Sequence, residues 1–163
     1  MKKILLLAAL AVLTLSVSAQ KEYDNQKKFT HEASAYFQNG WGIGYQFRKE
    51  ITPYFGWNII GVSYMSNIDC APDEYGQVNI KFLGARCHTP SYKWLRGYVD
   101  VNVGYTLRYG NGTKEPSHHL GLDFGVGVQL HKHFAVGYNL NFVGPDKEDG
   151  NNKEHWLKFS FLF

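Results

Sequence analysis

Residues 120–130 read LGLDFGVGVQL and alternate between two kinds of side chain. The even-numbered positions are all apolar, whereas the odd-numbered positions are glycine, aspartate or glutamine. Neighbouring side chains on a strand point to opposite faces, so this period of two indicates a β-strand with one apolar face. The segment therefore predicts a sheet that separates an apolar environment from a polar or crowded one.

The same alternation recurs in two other segments. Residues 99–109 alternate valine, tyrosine and leucine with polar residues and glycine, and residues 134–142 alternate aromatic and aliphatic residues with alanine, glycine and asparagine. No segment after Gln20 carries an apolar stripe with the 3.6-residue period of a helix. We therefore predict an all-β chain of eight strands at about residues 28–38, 41–48, 53–64, 77–86, 97–109, 118–130, 134–143 and 154–163.

The connections between these strands are predicted to alternate in length. Short ones are expected at 49–52 and 131–133, and long polar ones at 65–76, 110–117 and 144–153. Short turns at one end and longer loops at the other are typical of membrane barrels. Two connections depart from the pattern: the first is a tight hairpin turn at Asn39-Gly40, and the other is a long segment at 87–96.

The N-terminus predicts export. Lys2 and Lys3 precede an apolar run over residues 4–13, which is too short to span a bilayer, and Val17-Ser18-Ala19 fits a secretory cleavage site. We predict a signal peptide over residues 1–19. Its removal lowers the count of lysine and arginine from 17 to 15 against 14 acidic residues, so the net charge indicates no nucleic-acid partner.

The apolar faces of the strands are predicted to point outwards into lipid. They carry five or six full-size residues per strand, which would overfill the interior of a small eight-stranded barrel. The positions expected to face lipid are Val99, Val101, Val103, Leu122, Phe124, Val126, Val128, Val136, Tyr138 and Leu140. The charged residues expected to form a paired interior network are Glu32, Lys81, Asp100, Asp123 and Lys158.

The last predicted strand carries the most specific pattern in the chain. Residues 155–163 read HWLKFSFLF, so Leu157, Phe159, Phe161 and Phe163 alternate up to a terminal phenylalanine. This ending resembles the C-terminal signature by which the barrel-assembly machinery recognises bacterial outer-membrane proteins. Together with the signal peptide and the eight strands, it makes the mature chain resemble the small OmpX/OmpA-type barrels over its whole length.

The resemblance implies a closed, antiparallel, up-and-down transmembrane β-barrel over residues 28–163 in the outer membrane of a Gram-negative bacterium. Residues 20–27 would form a short periplasmic segment. The implied partners are outer-membrane lipid and, during biogenesis, periplasmic chaperones and the assembly machinery. The expected role is structural or surface-interacting, without catalysis. Two alternatives stay open: a soluble lipocalin-like barrel that binds a hydrophobic ligand, and an outer-membrane enzyme that modifies lipid A.

Few residues suggest catalysis or metal binding. Ser117, His118 and His119 are candidates for a lipid-modifying site, but neighbouring residues on a strand face opposite sides, so only one histidine can face any one pocket. His131 and His133 share a side without carboxylate or thiol support, which makes a weak metal site. We therefore predict no catalytic residue, no metal and no cofactor, and we interpret the acidic residues of 146–149 as a solvated loop.

The two cysteines are not expected to form a disulfide, although an exported protein with two cysteines would suggest one. Cys70 precedes and Cys87 follows the strand predicted at 77–86. A strand rises about 3.3 Å per residue, whereas a disulfide requires Cα atoms within roughly 7 Å. The cysteines should therefore lie near opposite ends of the barrel.

Overall fold

The chain folds into a closed barrel in which each strand pairs antiparallel with the next and the last pairs with the first. The computed structural model describes residues 29–38, 40–70, 73–110, 116–144 and 153–163. Its strands are β1 (Phe29–Gln38), β2 (Trp41–Thr52), β3 (Phe55–Cys70), β4 (Asp73–His88), β5 (Leu95–Gly110), β6 (Ser117–Leu130), β7 (Phe134–Val143) and β8 (Lys153–Leu162). The predicted fold class, an all-β closed barrel of eight antiparallel strands, is confirmed.

The barrel has two ends that differ in their connections. We call the end where β1 begins and β8 finishes the termini end, and the other the loop end. The connections at the termini end are the turn at Pro53 and Tyr54, the segment 89–94 and the turn 131–133. The predicted signal peptide and segment 20–27, and most of the predicted loops 110–117 and 144–153, lie outside the described residues.

The predicted loop at 65–76 is wrong. β3 and β4 continue as a paired hairpin there, with Ile68 opposite Tyr75 and Cys70 opposite Asp73. The sequence here is polar and lacks apolar alternation, so it resembles a loop, but main-chain pairing between two strands already in register needs no apolar face. The pairing nevertheless shifts register between Met65 and Ile68.

Two connections at the termini end are shorter than predicted. β2 runs through Thr52, so the turn expected at 49–52 lies instead at Pro53 and Tyr54. β4 runs to His88 and β5 starts at Leu95, so the long segment expected at 87–96 is reduced to 89–94. In the loop-end hairpin between β1 and β2, Gly40 has a φ of 149°, a conformation that favours glycine.

Two β-bulges face each other on β3 and β4. Between β2 and β3, the register shift leaves Ile59 without a partner, and between β4 and β5 it leaves Phe82 without one. An extra residue reverses the alternation of a strand. As a result Asn58 and Gly61 both point inwards on β3, and Lys81 and Arg86 both point inwards on β4.

The inside of the barrel is polar and the outside is apolar. Most of its buried side chains are charged or polar, whereas valine, isoleucine, leucine and aromatic residues are exposed on every strand. This arrangement inverts that of a soluble protein, whose apolar side chains form the core. No helix among the described residues is long and apolar enough to span a bilayer.

Candidate functional site

Glu32 lies at the centre of the interior charge network. Its carboxylate accepts contacts from Lys158 Nζ at 2.6 Å, Arg86 Nη1 at 2.7 Å and Arg48 Nη1 at 3.2 Å, while Ser160 Oγ donates at 2.9 Å. All of these side chains are buried. The desolvation of a buried charge is offset only where partners surround it, and Glu32 meets that condition.

The other predicted interior charges are also paired. Arg86 binds both carboxylate oxygens of Asp100, one of them at 2.7 Å through Nε. Lys81 Nζ lies 3.0 Å from Asp123 Oδ2. Amide side chains join these pairs, because Asn102 and Asn139 donate to Asp123 at 3.0–3.1 Å. The structure thus places all five predicted network residues in the interior and links them to partners.

Five further buried charges complete the network and were not among the predicted members: Arg48, Glu50, Arg86, Arg108 and Glu154. Towards the loop end, Glu154 accepts from Gln77 at 2.6 Å, from Arg108 at 2.8 Å and from Trp156 at 3.3 Å. Arg108 and Asp100 are separated by an even number of positions on β5, so they share the inward face. The period of two could therefore have identified Arg108 as an interior residue.

Apolar clusters cap the charged layer at both ends. Tyr36, Met65 and Trp156 form the cap near the loop end. Tyr98, Ala135 and Leu162 form the one near the termini end. Between these caps, most of the buried side chains of the described residues are charged or polar. An apolar lumen of the lipocalin type, the alternative left open by the sequence, is therefore not supported.

Glycines on the interior face make room for the aromatic rings of the caps. A Cβ atom at Gly44 would lie 2.9 Å from Tyr36 Cε2, and one at Gly127 would lie 2.6 Å from Tyr98 Cζ. Such distances are shorter than van der Waals contact, so these positions accept no side chain while the rings stay in place. The Gly-x-Gly spacings on β2 and β6 therefore serve packing.

The residues predicted to contact lipid all point away from the interior. Six of them are between 36% and 44% exposed: Val99, Val101, Leu122, Val126, Val128 and Tyr138. The others are half-buried against their neighbours on the outer surface: Val103, Phe124, Val136 and Leu140. With the outward residues of β2, β3 and β4 they form a continuous apolar belt.

Aromatic rings cluster where β8 meets β1 at the termini end. Phe163 stacks on His31 with ring centroids 5.5 Å apart and lies 5.9 Å from Phe161, which in turn contacts Phe134 at 5.3 Å. Phe163 also exchanges two main-chain hydrogen bonds with His31, at 2.9 and 3.0 Å. The predicted assembly-signal residues Leu157, Phe159, Phe161 and Phe163 are all exposed on the outer surface.

The candidate catalytic residues divide between the two faces of β6. Ser117 and His119 lie on the inward side, whereas His118 is exposed and its Nδ1 contacts the hydroxyl of Tyr105. His131 and His133 lie in or next to the turn between β6 and β7, with ring centroids 5.7 Å apart. The described residues contain no group of three or more potential metal ligands.

A closed eight-stranded meander with a polar, side-chain-filled interior and an apolar outer surface is the architecture of the small outer-membrane barrels. Comparison with solved structures finds barrels of the same fold. Neisserial surface protein A superposes with a TM-score of 0.61 at 12% identity, covering 82% of this chain and 92% of that chain. The N-terminal β-barrel domain of Pseudomonas aeruginosa OprF gives 0.51 at 15% identity, covering 83% and 96%.

A third solved structure is the Yersinia pestis outer membrane protein Ail in a phospholipid bilayer nanodisc, with a TM-score of 0.50 at 10% identity, covering 85% of this chain and 100% of that chain. At these identities the likeness concerns the fold. No protein-family model and no curated protein matches the sequence. The chain has the fold of the small eight-stranded outer-membrane barrels, as its resemblance to the OmpX/OmpA type implied.

Proposed function

We propose that this chain is an integral outer-membrane protein without catalytic activity, exported by the signal peptide over residues 1–19. Its role is structural or surface-interacting, and the loop end is displayed outside the cell. The observation that carries the proposal is the inversion of polarity: an apolar belt surrounds the barrel, while the buried charges are paired inside it. Soluble monomers rarely expose an apolar patch larger than a few hundred Å².

The strands themselves support a bilayer-spanning arrangement. In a closed barrel, the main-chain N–H and C=O groups of every strand form hydrogen bonds with the neighbouring strands, and no sheet edge is left open. A hydrocarbon environment requires this, because it offers no water to bind unpaired groups. The described strands are 10–16 residues long, and a tilted strand of about 9–11 residues suffices to cross a bilayer. In this proposal the termini end faces the periplasm.

Biogenesis in this proposal follows the route of other outer-membrane barrels. Periplasmic chaperones would hold the exported chain, and the barrel-assembly machinery would engage β8 through its outward residues Leu157, Phe159, Phe161 and Phe163. In the structure these residues lie next to the seam where β8 pairs with β1, which is the pairing that closes the barrel.

Subcellular fractionation tests the proposal directly. The chain should sediment with outer-membrane markers, resist extraction by high salt and start at Gln20 on N-terminal sequencing. Unheated samples should migrate differently from boiled samples on gels, because the closed barrel resists unfolding in detergent. Recovery in the soluble periplasmic fraction, without such a heat-dependent shift, would refute it.

The absence of catalysis needs a separate test. The contact of His118 with Tyr105 supports a non-enzymatic role for that histidine, because it lies on the outer surface, away from Ser117; His119 is the histidine that shares the inward side with Ser117. Mass spectrometry of lipid A from a deletion strain should therefore match that from the parent strain. A change in acyl chains that a Ser117→Ala variant fails to restore would show that the barrel is an enzyme.

A further inference from the structure

A cleft of about 260 Å³ opens at the termini end of the barrel, below the cap formed by Tyr98, Ala135 and Leu162. Its lining comes from the termini ends of the strands, among them β1, β2, β4 and β5, and from the turn between β6 and β7. The lining side chains that matter for its chemistry are Arg48, Glu50, His88, Arg96, Lys132 and His133. None of them belongs to the outward apolar belt.

The lining is predominantly basic. Three side chains that carry a positive charge, Arg48, Arg96 and Lys132, surround the cleft, and Glu50 is the one acidic side chain among its described lining residues. Glu50 and Arg48 offset each other, because Arg48 Nε donates to Glu50 at 2.6 Å, and Thr30 Oγ1 also donates to Glu50 at 3.1 Å. The excess positive charge of the lining therefore comes from Arg96 and Lys132. The electrostatic field of the cleft therefore favours an anion.

His88 supplies a second and independent observation. Its side chain points inwards from the end of β4, is 8% exposed and lines the cleft. Neither ring nitrogen has a hydrogen-bond partner within the described part of the chain. The nearest carboxylate oxygen, Glu50 Oε2, is 3.9 Å from Nε2, which is beyond hydrogen-bond distance. A buried polar group normally has a partner, so this imidazole indicates a ligand.

The charges around His88 specify the kind of ligand. The cations around it are Arg96, Arg86 and Arg48, and the carboxylates that oppose them are Glu32 and, 3.9 Å from Nε2, Glu50. A bound cation would add to this positive surrounding, whereas a bound anion would offset it. The cleft could hold a group that accepts one hydrogen bond from the imidazole and others from Arg96 and Lys132.

We propose that this cleft is a binding site for a small oxyanion, a phosphate or a carboxylate group, with His88, Arg96 and Lys132 as its ligands. Oxyanions accept several charge-assisted hydrogen bonds at once, which matches a buried imidazole beside a guanidinium and an ammonium group. The site opens at the termini end, so its ligand would approach from the periplasmic side. This binding is distinct from any interaction of the loop end.

Titration of the folded mature barrel with inorganic phosphate tests the proposal. The barrel is held in maltoside micelles, because a phosphocholine detergent would itself supply the anion. Calorimetry should show saturable binding at one site. Long-range proton–nitrogen spectra of labelled histidine should show a shift at the ring of His88. A parallel titration with acetate distinguishes a carboxylate source from a phosphate source.

Three variants make the outcome decisive. His88→Leu and Lys132→Gln should each weaken binding by roughly tenfold or more, the usual effect of losing a hydrogen bond to a charged group. The His88→Leu substitution removes no described side-chain hydrogen bond, so the barrel should fold. Lys132 is exposed, so Lys132→Gln should disturb folding even less. Lys49→Gln makes the same charge change near the same end, on the outer face, and should leave the affinity unchanged.

Two results would overturn the proposal. One is the absence of saturable binding for both phosphate and acetate. The other is an equal loss of affinity in Lys49→Gln and Lys132→Gln, which would mean that the anion responds to overall charge instead of to this cleft.

Discussion

Glu32 illustrates how single residues hold this barrel together. Its one carboxylate is shared by Lys158, Arg86 and Arg48, all buried. A buried ion pair contributes little compared with an apolar pair, but the loss of one partner is costly because it leaves uncompensated charge in the interior. Removing the charge of Glu32 should therefore lower the free energy of unfolding more than removing the charge of any one of its three partners.

Glu32→Gln should lower the free energy of unfolding by about 3–5 kcal/mol, the usual cost of removing one partner from a buried ion pair. Urea unfolding of the barrel in lipid vesicles measures the change. The double variant Glu32→Gln, Lys158→Met removes one cation as well and should recover part of the loss. A single variant as stable as the wild type would show that the carboxylate is not central.

Val126 and Gly125 test which face of β6 contacts lipid. Val126→Arg places a cation in the apolar belt and should cost roughly 2–4 kcal/mol near the bilayer midplane. Gly125→Ser changes an inward position where a Cβ atom would lie 3.0 Å from Asn139 Oδ1. Asn139 must therefore move by a few tenths of an ångström, but no charge enters lipid, so the cost should be smaller than that of Val126→Arg. Unfolding free energies measured in vesicles show which of the two variants is destabilised more. A larger loss for Gly125→Ser than for Val126→Arg would mean that the lipid-facing and inward faces of β6 are inverted.

The sequence predicted the inward position of Asp100 and Asp123, because the strict alternation of β5 and β6 continues through them. It could not predict that Arg86 joins Lys81 inside. These two residues differ by an odd number of positions on β4, and a regular strand would place them on opposite faces. The extra residue Phe82 reverses the alternation between them, and a bulge leaves no mark in a period-two pattern.

At the scale of elements, β8 is predicted to combine two tasks. Its outward residues fit the pattern of an assembly signal, and Phe163, which directly follows the strand, extends the seam through two hydrogen bonds to His31. The seam is narrow: β1 and β8 are paired over the short stretch from Glu32–Leu162 to Gln38–Trp156. Changes at the end of β8 should therefore affect both recognition and closure.

Phe163→Ser, or deletion of Phe163, should lower the folded fraction found in the outer membrane. The reasons are the loss of the terminal aromatic residue of the signature and of its stacking on His31. Heat-modifiable migration of the membrane fraction measures the folded fraction. Phe29→Ser is the matched control, because Phe29 is equally exposed at the same end but lies on β1. Insertion of the Phe163 variants at the wild-type level would contradict the prediction.

Strand β4 separates the two cysteines. Cys70 lies opposite Asp73 at the loop end, and Cys87 lies opposite Phe55 and Val99 near the termini end. The span from Asp73 to Cys87 corresponds to roughly 45 Å along a strand, far beyond the reach of a disulfide. The Cys87 thiol is free and exposed.

A thiol count on the denatured, unreduced protein should therefore give two free thiols per chain, after alkylation at the time of cell lysis. Mass spectrometry of the digest should find no peptide that links Cys70 to Cys87. A linked peptide would mean that β4 does not run between the two ends, and the strand order would have to be withdrawn.

Element boundaries were predictable only where side chains alternate. β7 was predicted at 134–143 and lies at Phe134–Val143, because its aromatic and aliphatic residues alternate throughout. The extension of β3 and β4 beyond Met65 was missed, since it depends on main-chain pairing between residues without an apolar face. Where a strand extends beyond the apolar belt, its sequence no longer alternates between apolar and polar residues, so the sequence does not predict it.

At the scale of the whole molecule, the two caps and the charged layer close the interior. Eight strands leave space only for side chains, and here the buried rings of Trp156 and Tyr98 occupy the interior together with the charges. Purified barrel in planar bilayers should therefore show no stable porin-like conductance. Regular channel steps from protein shown to be folded by its heat-modifiable migration would refute this.

The balance of the buried charges has a consequence for how the folded state responds to salt. Five acidic side chains, Glu32, Glu50, Asp100, Asp123 and Glu154, are buried with five basic ones, Arg48, Lys81, Arg86, Arg108 and Lys158. Closure of the barrel thus encloses no net charge from these groups and requires no accompanying counter-ion. Buried pairs are also screened far less than exposed ones. The unfolding midpoint should consequently vary little with ionic strength.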